Sequence, residues 1–186
     1  RISLTPETAK NIIALGLKVS VEKDYAIHLG IQDKEYSDVG VEIKNSSVEV
    51  LSKCDLLIKV NCPSEKEINN LKEKTILIGM LNPSKNKNLI NEIIKKKINI
   101  FSLELLPRIT RAQSMDVLSS QSNLAGYRAV IDCVAEFEKA IPMMMTAAGT
   151  VPAAKILVIG AGVAGLQAIA TAKRLGAIVS ATDVRA

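Results

Sequence analysis

The sequence is poor in aromatic side chains. It has no tryptophan, three tyrosines and two phenylalanines among 186 residues. Proteins that bind RNA or single-stranded DNA stack bases on aromatic rings, so the composition argues against nucleic acid as a partner. The net charge of +5 does not change this inference. Lysines cluster at Lys95–Lys97 and at Lys85 and Lys87, where solvated helix faces explain them.

Cysteine and histidine chemistry is equally sparse. The three cysteines, Cys54, Cys62 and Cys133, are odd in number and lack CxxC or CxxH spacing, so we predict neither a disulfide framework nor a metal site. His28 is the only histidine, and a structural role is expected for it. Residues 156–172 lack charge, but 17 residues interrupted by glycine are too short for a membrane span.

The first hundred residues alternate short helices and strands, which predicts an α/β fold with a parallel, doubly wound sheet. With 48% apolar residues, the chain can build one or two hydrophobic cores. Helices are predicted to begin after Thr5, at Asp33 and Ser47, within the capping box Ser64–Glu67 that opens the next helix, and at Asn86. The predicted strands cover residues 18–22, 41–43, 56–60, 75–79 and 98–101.

Residues 119–140 form a longer, purely helical pattern that Pro142 is predicted to end. A long helix between two βα regions is a natural connector. We therefore predict an N-terminal α/β domain over residues 1–140, and the start of a Rossmann domain over 141–186, with a connecting loop at Met143–Thr150. The expected fold is two Rossmann-like, doubly wound parallel-sheet domains joined by this helix.

The second of these domains is expected to be truncated after its second strand, within a longer protein. A two-stranded parallel sheet cannot cover both of its faces. We therefore expect the region after about residue 140 to be only marginally stable by itself.

A glycine-rich turn follows Lys155–Ile159, which is predicted to be a fully buried strand. Gly160 permits the tight turn, Gly162 lets the backbone approach a pyrophosphate, and Gly165 lets the next helix pack close to the strand. A helical stretch, a second strand and Asp183 follow, the last 18 residues beyond Gly165. This order is typical of a dinucleotide site, in which the carboxylate meets ribose hydroxyls and favours NAD(H). Arg185, two residues further on, leaves open the alternative that the site binds the 2′-phosphate of NADP(H).

The segment between Pro107 and Ser120 holds two arginines, a glutamine, an aspartate and several hydroxyls. It follows the carboxyl end of a predicted strand, where ligand sites of α/β sheets collect. A surface loop can be this polar without function, so composition alone leaves both interpretations open.

Several segments resemble the alpha subunits of proton-translocating nicotinamide nucleotide transhydrogenases. The resemblance extends over essentially the whole chain, and its block at residues 108–129 is specific to that family. The segments that carry it are Arg1–Pro6, Lys59–Pro63, Arg108–Asp116, Leu118–Ser120, Asn123–Ala129, Gly160–Leu166, Ala172–Val179 and Thr182–Arg185.

The resemblance implies a peripheral NAD(H)-binding component on the cytoplasmic face of the inner membrane. Hydride would pass between its NAD(H) and NADP(H) held by a partner subunit that also forms the proton channel. A homodimer is expected. Such a transfer needs positioned rings rather than acid–base groups, which suits a chain without paired carboxylates.

The resemblance also assigns residues. Arg108 and Gln113 would orient the carboxamide and ring, while Asp116 and Ser119 would support the loop, and these four are the candidate catalytic residues. The predicted cofactor-binding residues are Arg108, Ile109, Thr110, Arg111, Gln113, Gly160, Gly162, Val163, Gly165, Asp183, Val184 and Arg185.

Two alternatives remain. Alanine dehydrogenases resemble the chain too, and Arg1 and Lys59 match the cations that hold their substrate. Their catalytic histidine would fall near Leu81 and Asn82, and an asparagine amide cannot exchange protons near neutral pH. The other alternative is an NAD-binding module without catalytic activity.

Overall fold

The computed structural model describes residues 1–184 and has two compact units, the first spanning Arg1–Pro107 and the second beginning at Arg108. The helices of the first unit are α1 (Pro6–Ala14), α2 (Asp33–Asp38), α3 (Ser47–Lys53), α4 (Glu65–Asn70) and α5 (Lys87–Lys95). Its strands are β1 (Ser20–Glu22), β2 (Glu42–Lys44), β3 (Leu56–Asn61), β4 (Ile76–Met80) and β5 (Asn99–Ser102). Short 3₁₀ helices lie at Ile27–Leu29 and Leu103–Leu105.

All strand pairs of the first unit are parallel. β1 pairs with β2, and β3, β4 and β5 form a three-stranded sheet in chain order. Helices α4 and α5 connect these three strands, as parallel pairing requires. The predicted α/β class with parallel sheets is confirmed, and each predicted strand of this unit is present.

Local capping explains where the helices begin. The Thr5 hydroxyl accepts the backbone N–H of Thr8 at 3.2 Å, and Pro6 occupies the first turn of α1. At α4, the Ser64 hydroxyl accepts the N–H of Glu67, and the Glu67 carboxylate accepts the N–H of Ser64 at 2.8 Å. This is the predicted capping box.

Two apolar clusters form the core of the first unit. One packs α3, α4 and α5 against the three-stranded sheet, and its centre includes the fully buried Leu77, Leu81 and Ile93. The other surrounds Tyr36, whose hydroxyl donates to the carbonyl of Leu4 at 2.7 Å. The buried tyrosine therefore satisfies its polar atom while its ring fills the core.

The second unit starts with a 3₁₀ helix at Thr110–Met115. Its other elements are α6 (Val117–Glu136), β6 (Met144–Thr146), β7 (Gly149–Val151), β8 (Lys155–Ile159), α7 (Val163–Arg174) and β9 (Ile178–Thr182). Strands β8 and β9 pair in parallel, and β6 and β7 form an antiparallel hairpin. The predicted strand, glycine turn, helix and strand are all present, but the prediction that the strand at Lys155–Ile159 is fully buried was wrong. Leu157 and Ile159 are exposed, because only one face of this two-stranded sheet is covered.

Three further local predictions were wrong. The long helix ends at Glu136, well before Pro142, because Phe137 is already extended and the chain turns to bury Ile141. The segment Met143–Thr150 is a hairpin and not a plain loop. The polar segment between Pro107 and Ser120, called the polar loop below, contains the 3₁₀ helix Thr110–Met115 and is not irregular throughout.

The long helix belongs to the second compact unit, because α6 packs against α7. The predicted boundary near residue 140 instead groups this helix with the N-terminal domain. That boundary stays a prediction. Among residues 1–184, no helix combines the length and the apolar character that a membrane crossing requires.

Candidate functional site

The glycine turn after β8 depends on residues without side chains. Gly160 has a φ of +98°, which glycine adopts without strain, and its N–H donates to the carbonyl of Thr182 at 2.7 Å. A Cβ atom built on Gly165 would lie 1.8 Å from the Gly160 carbonyl oxygen. The turn and the first turn of α7 therefore approach each other more closely than any other residue type allows.

Gly162 presents open space at the beginning of α7. A Cβ atom built there would meet no atom within 4 Å. The first turn of α7 carries no acidic residue, and its backbone N–H groups have no partners within the helix. Together with the positive end of the helix dipole, these groups favour an anion such as a pyrophosphate. The residues present thus fit the dinucleotide that the sequence predicts.

Asp183 lies beside the same turn, directly after β9. Its Oδ2 atom accepts the backbone N–H of Ala161 at 2.6 Å, and the residue is half-buried. The tertiary structure therefore brings a carboxylate to the glycine turn, as a ribose-binding acid requires. Val184 is fully exposed. The predicted contact Arg185 lies outside the described residues.

Asp116 begins α6 and organises the end of the polar loop. Its carboxylate accepts the N–H of Ser119 at 2.9 Å and the hydroxyl of Ser119 at 2.6 Å. These hydrogen bonds, with the positive charge of Arg108 nearby, lower the pKa of Asp116 below its ordinary value. The pair forms a helix cap, which is compatible with the predicted supporting role.

The other predicted loop residues lie on the surface. They are Arg108, Ile109, Thr110, Arg111 and Gln113. Ala112 is buried and anchors the 3₁₀ helix between them. Within residues 1–184, the Gln113 side chain donates no hydrogen bond to the protein, so its amide faces solvent and can reach a ligand.

A close helix contact connects the regions that carry these groups. α6 packs on α7, and a Cβ atom built on Gly126 of α6 would lie 2.0 Å from the carbonyl oxygen of Ala164 in the first turn of α7. Sequence reasoning assigned no role to Gly126 or Ala161. A glycine inside a helix lowers helix stability by about 1 kcal/mol relative to alanine. A glycine within the predicted long helix was therefore the signal in the sequence that could have pointed to Gly126.

A second polar group lies at the carboxyl end of β3 and β4 in the first unit. Lys59 forms an ion pair with Glu67, and both side chains are partly buried. Asn82 has a φ of +45°, and the Glu104 carboxylate accepts its backbone N–H. In residues 1–184, no three histidine, cysteine, aspartate or glutamate side chains are arranged to hold a metal ion.

Comparison with known proteins assigns the family. The model of the alanine dehydrogenase/PNT N-terminal domain matches residues 1–125, and that of the C-terminal domain matches residues 129–186. The chain belongs to the alanine dehydrogenase/PNT family. Its two domain models meet inside α6, the helix that connects the polar loop to the rest of the second unit.

The relatives narrow this assignment. The chain is 50% identical to an NAD(P) transhydrogenase alpha-subunit polypeptide of Rhodospirillum rubrum, with all of this chain and 50% of the relative covered. The crystal structure of the transhydrogenase from Sinorhizobium meliloti matches with a TM-score of 0.94 and 50% identity, over 100% of this chain and 55% of that one. The predicted resemblance to transhydrogenase alpha subunits is confirmed. The chain spans about half the length of each of these two relatives.

Alanine dehydrogenase is a more distant relative. The enzyme of Methanococcus maripaludis is 29% identical over 99% of this chain and 50% of the relative. The chain is therefore more similar to the transhydrogenase polypeptide of Rhodospirillum rubrum than to this alanine dehydrogenase.

Proposed function

We propose that the chain supplies the NAD(H)-binding side of a proton-translocating transhydrogenase. In this role it holds NAD(H) while hydride passes to or from NADP(H) on a partner subunit. The transfer is coupled to proton movement across a membrane. The subunit associates peripherally with that membrane and forms a homodimer. The alpha-subunit relatives support this assignment, and the geometry of the second unit supports the nucleotide.

The observation that carries the proposal is the carboxylate of Asp183 at the glycine turn. It accepts the Ala161 N–H at 2.6 Å and therefore lies next to the anion-binding start of α7. A ribose hydroxyl that reaches this point can donate to a carboxylate, whereas a 2′-phosphate would be repelled by it. The arrangement favours NAD(H) over NADP(H).

The chain contributes positioning rather than proton transfer. When bound, the nicotinamide supplies the hydride chemistry. Arg108 and Gln113 offer exposed donors that can grip a carboxamide and fix the face of the ring. Asp116 and Ser119 hold the end of this loop through their two hydrogen bonds. Holding two rings in contact in this way converts a bimolecular reaction into an effectively unimolecular one.

The contacts at the edge of the first unit disfavour an amino-acid dehydrogenase. The Glu67 carboxylate engages Lys59, the cation expected to hold a substrate carboxylate. Asn82 provides no group that can protonate or deprotonate an imine. Both observations therefore count against the dehydrogenase alternative.

The proposal is tested with the complete alpha subunit, alone and mixed with its partner subunit. We expect NADH to bind the alpha subunit alone, and the mixture to reduce an NADP⁺ analogue with NADH. The matched assay supplies alanine and NAD⁺ and measures pyruvate. Pyruvate formation would replace the proposal with the dehydrogenase alternative. NADH binding without hydride transfer in the mixture would leave only a non-catalytic module.

A further inference from the structure

Gly126 lies in the middle of α6, where glycine is a poor choice for helix stability. It is one of the two buried residues of this 20-residue helix, the other being Val130. Because the local backbone is helical, no positive φ explains the glycine. Its reason must lie in what the helix packs against.

The contact that requires glycine is with α7. A Cβ atom on residue 126 would lie 2.0 Å from the carbonyl oxygen, 2.8 Å from the carbonyl carbon and 3.0 Å from the Cα atom of Ala164. All three are backbone atoms, so no rotation of a side chain can relieve the overlap. Any larger residue must move one helix away from the other.

The position of this contact matters, because it joins the two predicted halves of the site. Ala164 lies between Gly162 and Gly165, in the first turn of α7. Ser119, which is hydrogen-bonded to Asp116, precedes Gly126 by seven residues. Seven residues are nearly two helical turns, so Ser119 and Gly126 share one face of α6 and lie about 10 Å apart along it.

We propose that Gly126 is a positioning residue that sets the distance between the polar loop at Arg108–Ser119 and the glycine turn. The loop would then meet the nicotinamide half of a dinucleotide while the turn holds its adenosine half. This inference rests on the proposed function. It adds that the fit of the whole dinucleotide depends on a contact that touches no ligand atom.

The proposal makes a distinction between whole and half ligands. 5′-AMP can occupy the glycine turn and Asp183 without reaching the loop, whereas NADH must reach both. Displacement of α6 should therefore weaken the binding of NADH and leave the binding of 5′-AMP unchanged. A general loss of structure would weaken the binding of both ligands. If Gly126 has no positioning role, its substitution would weaken the binding of neither.

The test uses Gly126→Ala in the complete alpha subunit, with Ala125→Ser as the matched control. The control adds one heavy atom to the exposed neighbouring position of α6. We expect Gly126→Ala to weaken NADH binding about tenfold or more, on the scale of a small misplacement of a binding group. Its affinity for 5′-AMP should stay within about twofold of that of the unmodified subunit. The control should leave both affinities unchanged.

Several outcomes decide the matter. An equal loss of both affinities, or no loss of either, overturns the role of Gly126. If the unmodified subunit fails to bind NADH, the proposed function fails instead. If Gly126→Ala does not fold, hydrogen exchange on the unmodified subunit replaces it. NADH should then slow exchange at residues 117–126 and 163–166 together, and protection of α7 without α6 overturns the inference.

Discussion

The two compact units bury apolar surface in different ways. The first unit encloses large side chains, with Tyr36, Leu77 and Ile93 at 0% exposure. Among the described residues of the second unit, the buried apolar side chains are fewer and mostly smaller, namely Ala112, Val130, Ile141, Ala154 and Ala172. One face of β8 remains open there, with Leu157 at 63% and Ile159 at 81% exposure.

This difference in burial means that the two units serve different purposes. The first unit contributes most of the buried core, whereas the second contributes the geometry of the candidate site. In the first unit, helices cover the sheet and complete a core by side-chain interdigitation. In the second unit, the packing that matters is backbone against backbone, at Gly126 with Ala164 and at Gly165 with Gly160. The candidate pyrophosphate-binding and ribose-binding groups lie where the backbone packs closely, while the open face of β8 contributes little burial.

The largest expected effect tests the contrast between the cores. Leu77→Ala removes a fully buried side chain from β4, the middle strand of its sheet. It should lower the free energy of unfolding by about 2–5 kcal/mol, the range for deleting a buried leucine side chain. Urea unfolding of this chain, followed by circular dichroism, measures the change.

The matched change in the second unit is Leu157→Ala. Because this side chain is 63% exposed, its removal should cost less than about 1 kcal/mol. Amides of β8 should also exchange their hydrogens faster than those of β4. Equal costs, or equal protection, would mean that the face of β8 is covered in solution and that the contrast between the units is false.

The next effect concerns the carboxylate at the glycine turn. Asp183→Ala in the complete subunit should weaken NADH binding by about 1–3 kcal/mol, the scale for losing a charged hydrogen-bond partner. Fluorescence titration with NADH measures it. Asp132→Ala is the control, since Asp132 is an exposed carboxylate of the same unit, paired with Arg128. Unchanged NADH affinity in Asp183→Ala would refute the ribose assignment.

A smaller effect is expected in the polar loop. Gln113→Asn shortens an exposed amide by one methylene and should slow hydride transfer about tenfold while NADH affinity stays nearly intact. Gln121→Asn, at an exposed position of α6, is the control. Stopped-flow measurement at saturating NADH separates rate from affinity. A defect confined to affinity would show that Gln113 binds the ligand without orienting it.

The smallest effect is a pH dependence in the first unit. Burial raises the pKa of Glu67, but the hydrogen bonds from Lys59 and Ser64 outweigh it, and the net pKa lies below its ordinary value of 4.5. The folded pKa is thus lower than the unfolded one. Glu67 therefore stabilises the fold above about pH 4.5, and this stability is lost as the pH falls through the folded pKa.

Glu67→Gln should accordingly flatten the decline of unfolding free energy in acid. Glu65→Gln, which changes an exposed position of the same helix, should leave the decline as it is. Unfolding midpoints in urea between about pH 3 and pH 6 make the comparison. An identical decline in Glu67→Gln would show that the Lys59–Glu67 pair contributes nothing to acid stability, as in many exposed ion pairs.

Much of the fold was predictable because its signals are local. Thr5 and Pro6 define the beginning of α1 within three residues, and the Ser64–Glu67 box defines that of α4. The end of α6 was not predictable in this way. Glu138, Lys139 and Ala140 are good helix formers, yet the chain leaves the helix at Phe137.

The reason for that early end is tertiary. Ile141 becomes buried, and its carbonyl accepts the N–H of Ala154 at 2.9 Å. Pro142 packs so close to Gly176 that a Cβ atom there would lie 2.7 Å from the Pro142 Cβ. These partners are distant in the sequence, so no local sequence pattern predicts the contacts.

The sequence by itself determined the α/β class, most of the strands, the helix caps and the glycine turn, because spacing and capping act within a few residues. Only the tertiary structure decided that Asp183 meets Ala161, that Lys59 is engaged by Glu67, and that α6 approaches Ala164 at Gly126. Apart from the eight-residue span of the ion pair, these contacts join residues 22 and 38 positions apart. Distances of that kind depend on how whole elements pack, which a local pattern does not specify.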